Sequence, residues 1–153
     1  MSAPAATVNA DNPWPGFLSF RQADRDVFGG PRTQTEELLR LVMRERLTVL
    51  FALSGLGKSS LLQAGLFPHL RRENVLPVYV RVDFSSPSPD LIGQIKRAIT
   101  TQASAAQIEA PESPEGERLW DYLHRQDAEF WTNRNRPALP LIALDQFEEV
   151  FTL

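Results

Sequence analysis

The stretch Leu47–Pro68, LTVLFALSGLGKSSLLQAGLFP, constrains this chain more than any other. A largely apolar run, Leu47–Leu53, enters a glycine-rich turn, Ser54-Gly55-Leu56-Gly57. Lys58, Ser59 and Ser60 follow, and an amphipathic run, Leu61–Phe67, closes on Pro68. The pattern reads as buried strand, turn and helix. Such a turn points successive backbone N–H groups at one spot and feeds them into a helix N-terminus, where an anion is favoured. Ser54, Gly55, Leu56, Gly57, Lys58, Ser59 and Ser60 are therefore the candidate phosphate-binding residues. Lys58 is placed to reach the outer phosphates of a nucleotide, and the Ser59 hydroxyl to ligate Mg²⁺. One position departs from the pattern G-x-x-x-x-G-K-[ST]: its first glycine falls on Ala52. Alanine fits there if φ is negative and is strained if φ is positive. The competing reading, a strand–helix turn carrying a chance lysine, is disfavoured by GLGKSS standing directly behind a buried-strand pattern.

A bound Mg·nucleotide also needs a carboxylate fixed at the C-terminal end of a strand, where open α/β sheets hold their ligands. Leu139–Leu144, LPLIAL, reads as a buried strand and runs straight into Asp145-Gln146-Phe147-Glu148-Glu149. Asp145 is the candidate metal carboxylate. Glu148 and Glu149 are the candidates for orienting a hydrolytic water. In isolation this acidic cluster is equally well an ordinary strand end with solvated carboxylates. The upstream glycine-rich loop gives it meaning.

Composition fits that reading. The chain has 153 residues, 42% hydrophobic and 23% charged, enough for one globular domain with a sizeable core. A net charge of −3 gives no footprint for nucleic acid or an anionic membrane. With no cysteine, disulfides and thiolate metal sites are excluded. No apolar run is long enough to span a membrane, and the start lacks a signal-peptide pattern, so a cytoplasmic location is expected.

The remaining elements follow from pattern. Residues 1–12 are expected to be a flexible N-terminus, and Trp14–Phe20 an aromatic-rich loop. Thr33 and Glu36 have capping-box spacing before a helix carrying Leu38, Leu39, Leu41 and Val42. Val75–Phe84 reads as a second strand. Asp90 can cap a helix presenting Leu91, Ile92, Ile95, Ala98 and Ile99. Residues 101–116 read as a surface loop, and 117–132 as a further helix with Trp120 and Trp131 in its apolar stripe. His69 and His124 lack metal-like spacing and read as surface or helix-end residues. Phe28 and the adjacent glycines are candidates to line an adenine pocket.

Four stretches together carry a family resemblance: PGFLSF with VFGG, ALSGLGKSSLLQAGLFP, LWDYLHRQDAEFW, and LPLIALDQFEEVFTL. They resemble the bacterial STAND ATPases of the novel STAND type with a DQFEE second motif, over residues 13–153. The resemblance implies a P-loop NTPase fold, α/β with three layers (α/β/α) and a parallel sheet. It implies ATP and Mg²⁺ as ligands, with Lys58 on the β- and γ-phosphates, Ser59 on Mg²⁺, Asp145 as the Walker B carboxylate, and Glu148 or Glu149 tied to hydrolysis. Two positions depart from the family pattern: Ala52, and Gly30 where an arginine usually follows Phe-Gly. The function implied is a nucleotide-dependent signalling or defence switch with slow hydrolysis. Its implied partners are C-terminal sensor or repeat domains and further copies of the intact protein, without direct nucleic-acid or membrane contact. A nucleotide-binding but non-catalytic module, or an inert interaction fragment, is the alternative. The family's strand order, 5-1-4-3-2, makes strands 2 and 3 neighbours and separates strand 1 from strand 3 by a strand that would follow Asp145. The expectation is thus of an N-terminal portion of the domain, truncated after the Walker B strand, whose first strand lacks both neighbours or re-pairs against the third.

Overall fold

The computed structural model describes residues 20, 32–53, 55–83, 90–114 and 116–147. The chain divides into two compact units, Met1–Arg72 and Glu73–Leu153. Residues 1–12, most of Trp14–Phe20, and Phe28 with its neighbouring glycines lie outside the described residues.

In the first unit, helix α1 spans Arg32–Arg44. Its inward residues are Thr35 and Leu38, one turn apart on one face. Thr33 lies inside α1 and so is not its cap. After α1 the buried-strand reading does not hold, although the lack of neighbours expected for this segment does. Leu47–Leu53 is not a strand: it joins no ladder, and Leu47, Val49, Phe51 and Leu53 are 81, 62, 88 and 78% exposed. An apolar run becomes a buried strand only when neighbours take up its backbone groups. Here no strand does, and alternate side chains stand exposed.

Beyond the glycine turn the chain stays helical from residue 58 to 72. Helix α2 (Lys58–Ser60) passes into a π-helical stretch, Leu61–Leu66, and then into helix α3, Phe67–Arg72. Pro68 therefore lies inside the helical run, which ends at Arg72 within the polar helix end and turn that His69–Asn74 reads as. Proline lacks an N–H, and its ring crowds the carbonyl four residues back. The wider π turn, with Phe67 N–H bonded to Leu62 O, makes the room a regular α-helix would deny it. Ala64, Leu66, Phe67 and Leu70 are buried, and α1 packs on the π-helical stretch.

The second unit is an α/β arrangement around a four-stranded mixed sheet of order β1-β4-β3-β2. Strand β1 (Val75–Arg81) and strand β4 (Pro137–Asp145) pair in parallel, with Leu76 opposite Pro140, Tyr79 opposite Ala143 and Arg81 opposite Asp145. This is the adjacency that the resemblance implies for strands 2 and 3. The sheet is mixed, where a parallel sheet is what the resemblance implies. Strand β3 (Phe130–Thr132) runs antiparallel to β4 at Ala138 and Pro137, and strand β2 (Ile108–Glu109) antiparallel to β3.

Helix α4, Leu91–Ala105, is capped as expected: Asp90 Oδ1 accepts from Gly93 N–H at 2.7 Å. It runs past Thr100 because Ala103 continues the buried row of Ile95 and Ile99 at four-residue spacing. The helix expected over 117–132 is only α5, Leu119–His124. Phe130, Trp131 and Thr132 are aromatic or β-branched and go to the sheet. One face of β1 (Leu76, Val78, Val80), with Val82 just beyond the strand, packs with Ile95, Ile99, Ala103, Tyr122, Phe130 and Ala138 to form the core. Trp120 is not in it. It is 68% exposed, stacked on His124 with ring centroids 3.5 Å apart. His124 is the helix-end residue expected of it, its Nδ1 2.9 Å from Trp120 O.

The outer edge of β1 is closed by side chains. Leu139 N–H donates to Asn74 O at 3.1 Å, so even-numbered β1 residues turn their backbone groups to β4 and odd-numbered ones turn theirs outward. Pro77, facing out, has no N–H to satisfy. At Tyr79, Gln102 of α4 accepts from the N–H (2.9 Å) and donates to the carbonyl (2.8 Å). Gln94 repeats this at Asp83, at 2.8 and 2.7 Å. Gln102 thus does for the β1 edge what a further strand would do, and Gln94 does the same for the chain just beyond it.

Candidate nucleotide site

Gly55 and Gly57 hold the left-handed conformation, φ 83° and 82°. A Cβ at either would meet no atom within 4 Å, so glycine is demanded by backbone conformation and the face of the turn is open. Ala52 is not among the positive-φ residues, which settles the substitution there in alanine's favour. Leu56 N–H closes the turn on Leu53 O at 3.3 Å, and Leu61 N–H donates to Gly57 O at 2.8 Å as the helix begins.

Lys58 and Ser59 sit half-buried at the start of α2. The Lys58 ammonium folds back over the turn, donating to Ala52 O at 2.9 Å and reaching Leu53 O at 3.5 Å. Ser60 is buried and its hydroxyl accepts from Phe20 N–H at 3.0 Å, which ties the upstream segment to the turn. Its observed contact is structural. Ser54, Glu148 and Glu149 lie outside the described residues.

In the second unit, Asp145 ends β4 and is 7% exposed. Its Oδ2 accepts from the Tyr79 hydroxyl at 2.5 Å, and its Oδ1 from Gln146 N–H at 3.1 Å. Gln146 itself is left-handed, φ 57°, so the chain turns sharply on leaving the carboxylate. Tyr79 was not singled out from sequence. The signal was the alternation in Val78-Tyr79-Val80-Arg81-Val82: the valines face the core, and the residues between share the opposite face with Asp145.

The donor chemistry fits Mg²⁺ and a nucleotide. In the first unit Ser59 offers a hard oxygen donor and Lys58 a cation beside an open glycine turn; in the second, Asp145 offers a carboxylate. Among the described residues, no group of three or more histidine, aspartate or glutamate side chains is placed to hold a metal ion. A separate groove of about 720 Å³, between α4 and the chain around 110–118, holds none of these residues. No helix among the described residues is long and apolar enough to cross a membrane.

A glycine turn opening a helix at Lys-Ser, together with a parallel strand pair ending in a buried aspartate, defines an α/β protein with the parts of a partial P-loop fold. The sequence model of one family, Novel STAND NTPase 1 (nSTAND1), matches residues 13–153. The chain belongs to that family. No curated protein and no solved structure matches it.

Proposed function

We propose that this chain is the ATP-binding module of a STAND-type nucleotide-dependent switch, holding Mg·ATP through its Walker A and Walker B residues and hydrolysing it slowly at most. The observation that carries the reading is the turn: two left-handed glycines deliver Lys58 and Ser59 to a helix start, in a chain of an NTPase family. On binding, Lys58 would exchange the Ala52 and Leu53 carbonyls for phosphate oxygens. The backbone N–H groups of the turn would meet the phosphates, and Ser59 and Asp145 would hold Mg²⁺, which supplies charge neutralisation at the phosphates. Glu148 and Glu149 are the proposed water-orienting pair. In a switch, nucleotide would bias a two-state protein by its differential affinity for the two states.

The test is thermal unfolding with and without Mg·ATP, beside Lys58→Ala. A ligand that binds only the folded state raises the midpoint by mass action, by about 2.7 kcal/mol of stability at a hundredfold excess over Kd. The reading expects that shift in the native sequence and its loss in Lys58→Ala. A native protein whose midpoint is indifferent to Mg·ATP would contradict it.

A further inference from the structure

We infer that Tyr79 is a positioning residue for the metal carboxylate: its hydroxyl fixes the rotation of Asp145 so that the carboxylate is presented to Mg²⁺ in one orientation. The inference rests on the proposed nucleotide reading and deepens it. An aspartate at a strand end rotates freely about its last side-chain bond unless something holds it. Here both oxygens are engaged, Oδ2 by the Tyr79 hydroxyl at 2.5 Å and Oδ1 by Gln146 N–H at 3.1 Å. A carboxylate oxygen accepts in two directions, so a bond from tyrosine orients the group without consuming its capacity for a metal or a metal-bound water.

The donor is itself fixed. Tyr79 lies two residues before Arg81, and Arg81 is directly opposite Asp145, so Tyr79 is the diagonal neighbour of Asp145 on the same face of the sheet. Gln102 clamps the Tyr79 backbone at both its N–H and its carbonyl. A chain of contacts therefore runs from α4 through β1 to the end of β4. Supporting partners of this kind hold ligating groups in their working orientation.

The experiment measures the affinity of a ribose-tagged fluorescent ATP in excess Mg²⁺ and in EDTA, for the native protein, Tyr79→Phe, Gln102→Met and Asp145→Asn. The quantity read is the ratio of the two affinities, with thermal melting recorded for each variant. Tyr79→Phe is expected to lower the magnesium-dependent ratio by about tenfold, leaving the EDTA affinity within about twofold of native. Gln102→Met, which loosens the same residue's backbone but keeps its hydroxyl, is expected to lower the melting point and to lower the ratio by less than Tyr79→Phe does. Asp145→Asn sets the floor. An unchanged ratio in Tyr79→Phe overturns the inference. So does an equal loss in Mg²⁺ and EDTA, or a failure to fold, since either assigns the hydroxyl to holding the sheet. If the native protein shows no magnesium dependence, or Asp145→Asn keeps it, the metal reading itself has failed and the inference falls with it.

Discussion

Replacing Gln102 with methionine isolates the worth of the β1 edge clamp. Methionine matches glutamine closely in length and helix propensity, so α4 should be undisturbed and only the two hydrogen bonds to Tyr79 are lost. Each such bond contributes about 0.5–1.5 kcal/mol net, and a donor or acceptor left without any partner costs about 1–3 kcal/mol. Tyr79 is half-buried, so water re-solvates its backbone only in part. The expected loss for Gln102→Met is about 1.5–3 kcal/mol. Gln94→Met removes the same pair of bonds at Asp83, which is exposed. Water replaces them there, and the expected loss is about 0.5–1.5 kcal/mol. The clamps sit four residues apart along a strand, roughly 13 Å, so the double variant should be additive within about 0.5 kcal/mol. Urea unfolding followed by tryptophan fluorescence measures all three, with Trp120 and Trp131 both reporting from the second unit. Equal losses at the two sites, a larger loss for Gln94→Met, or no loss for Gln102→Met would refute the edge-clamp reasoning.

Other consequences are as direct. Gln146→Val should destabilise by about 1–2 kcal/mol, because a β-branched residue resists the left-handed conformation, whereas Gln146→Gly should not; chemical denaturation compares them. Phe51→Thr should leave stability within about 0.5 kcal/mol of native, since Phe51 stands in solvent; a loss typical of a core residue would show that Leu47–Leu53 is buried after all. The buried Tyr122 hydroxyl donates to Pro111 O, so Tyr122→Phe should cost about 1–2 kcal/mol in a denaturant melt. Burial raises the Tyr122 phenol above its ordinary 10.0, with Arg125 opposing and Glu117 adding to the rise. The folded state thus retains the proton longer than the unfolded chain. Its contribution is full below the unfolded value and is lost as pH rises through the folded one, so stability should fall across alkaline pH as phenolate absorbance appears.

The two strands that carry the site region of the second unit were legible as apolar runs ending in turn residues, and their adjacency was legible through the resemblance. Asp90 as a cap was legible because its chemistry is local. What pattern could not supply is whether a run has neighbours. Leu47–Leu53 reads as a buried strand and stands largely exposed, since burial is decided by partners elsewhere. The same limit explains 117–132. Helical spacing of Trp120, Leu123 and Trp131 is compatible with one helix, but Phe130–Thr132 is taken into the sheet by pairing with β4. The π-helical stretch before Pro68 is a response to a ring and a missing N–H, for which linear periodicity has no symbol. Lys58, Ser59 and Asp145 could be named as candidates because motif spacing encodes the chemistry proposed for them. Tyr79 could not, because its role depends on a parallel register that places it diagonally from Asp145.

Calorimetric titration with Mg·ATP is the direct test of whether the turn at Gly55–Ser59 binds the phosphates of a nucleotide. Saturable binding to one site is expected in the native protein, lost in Lys58→Ala and weakened in Ser59→Ala when Mg²⁺ is present. Native protein that gives no saturable heat, or Lys58→Ala that binds as the native protein does, would contradict it.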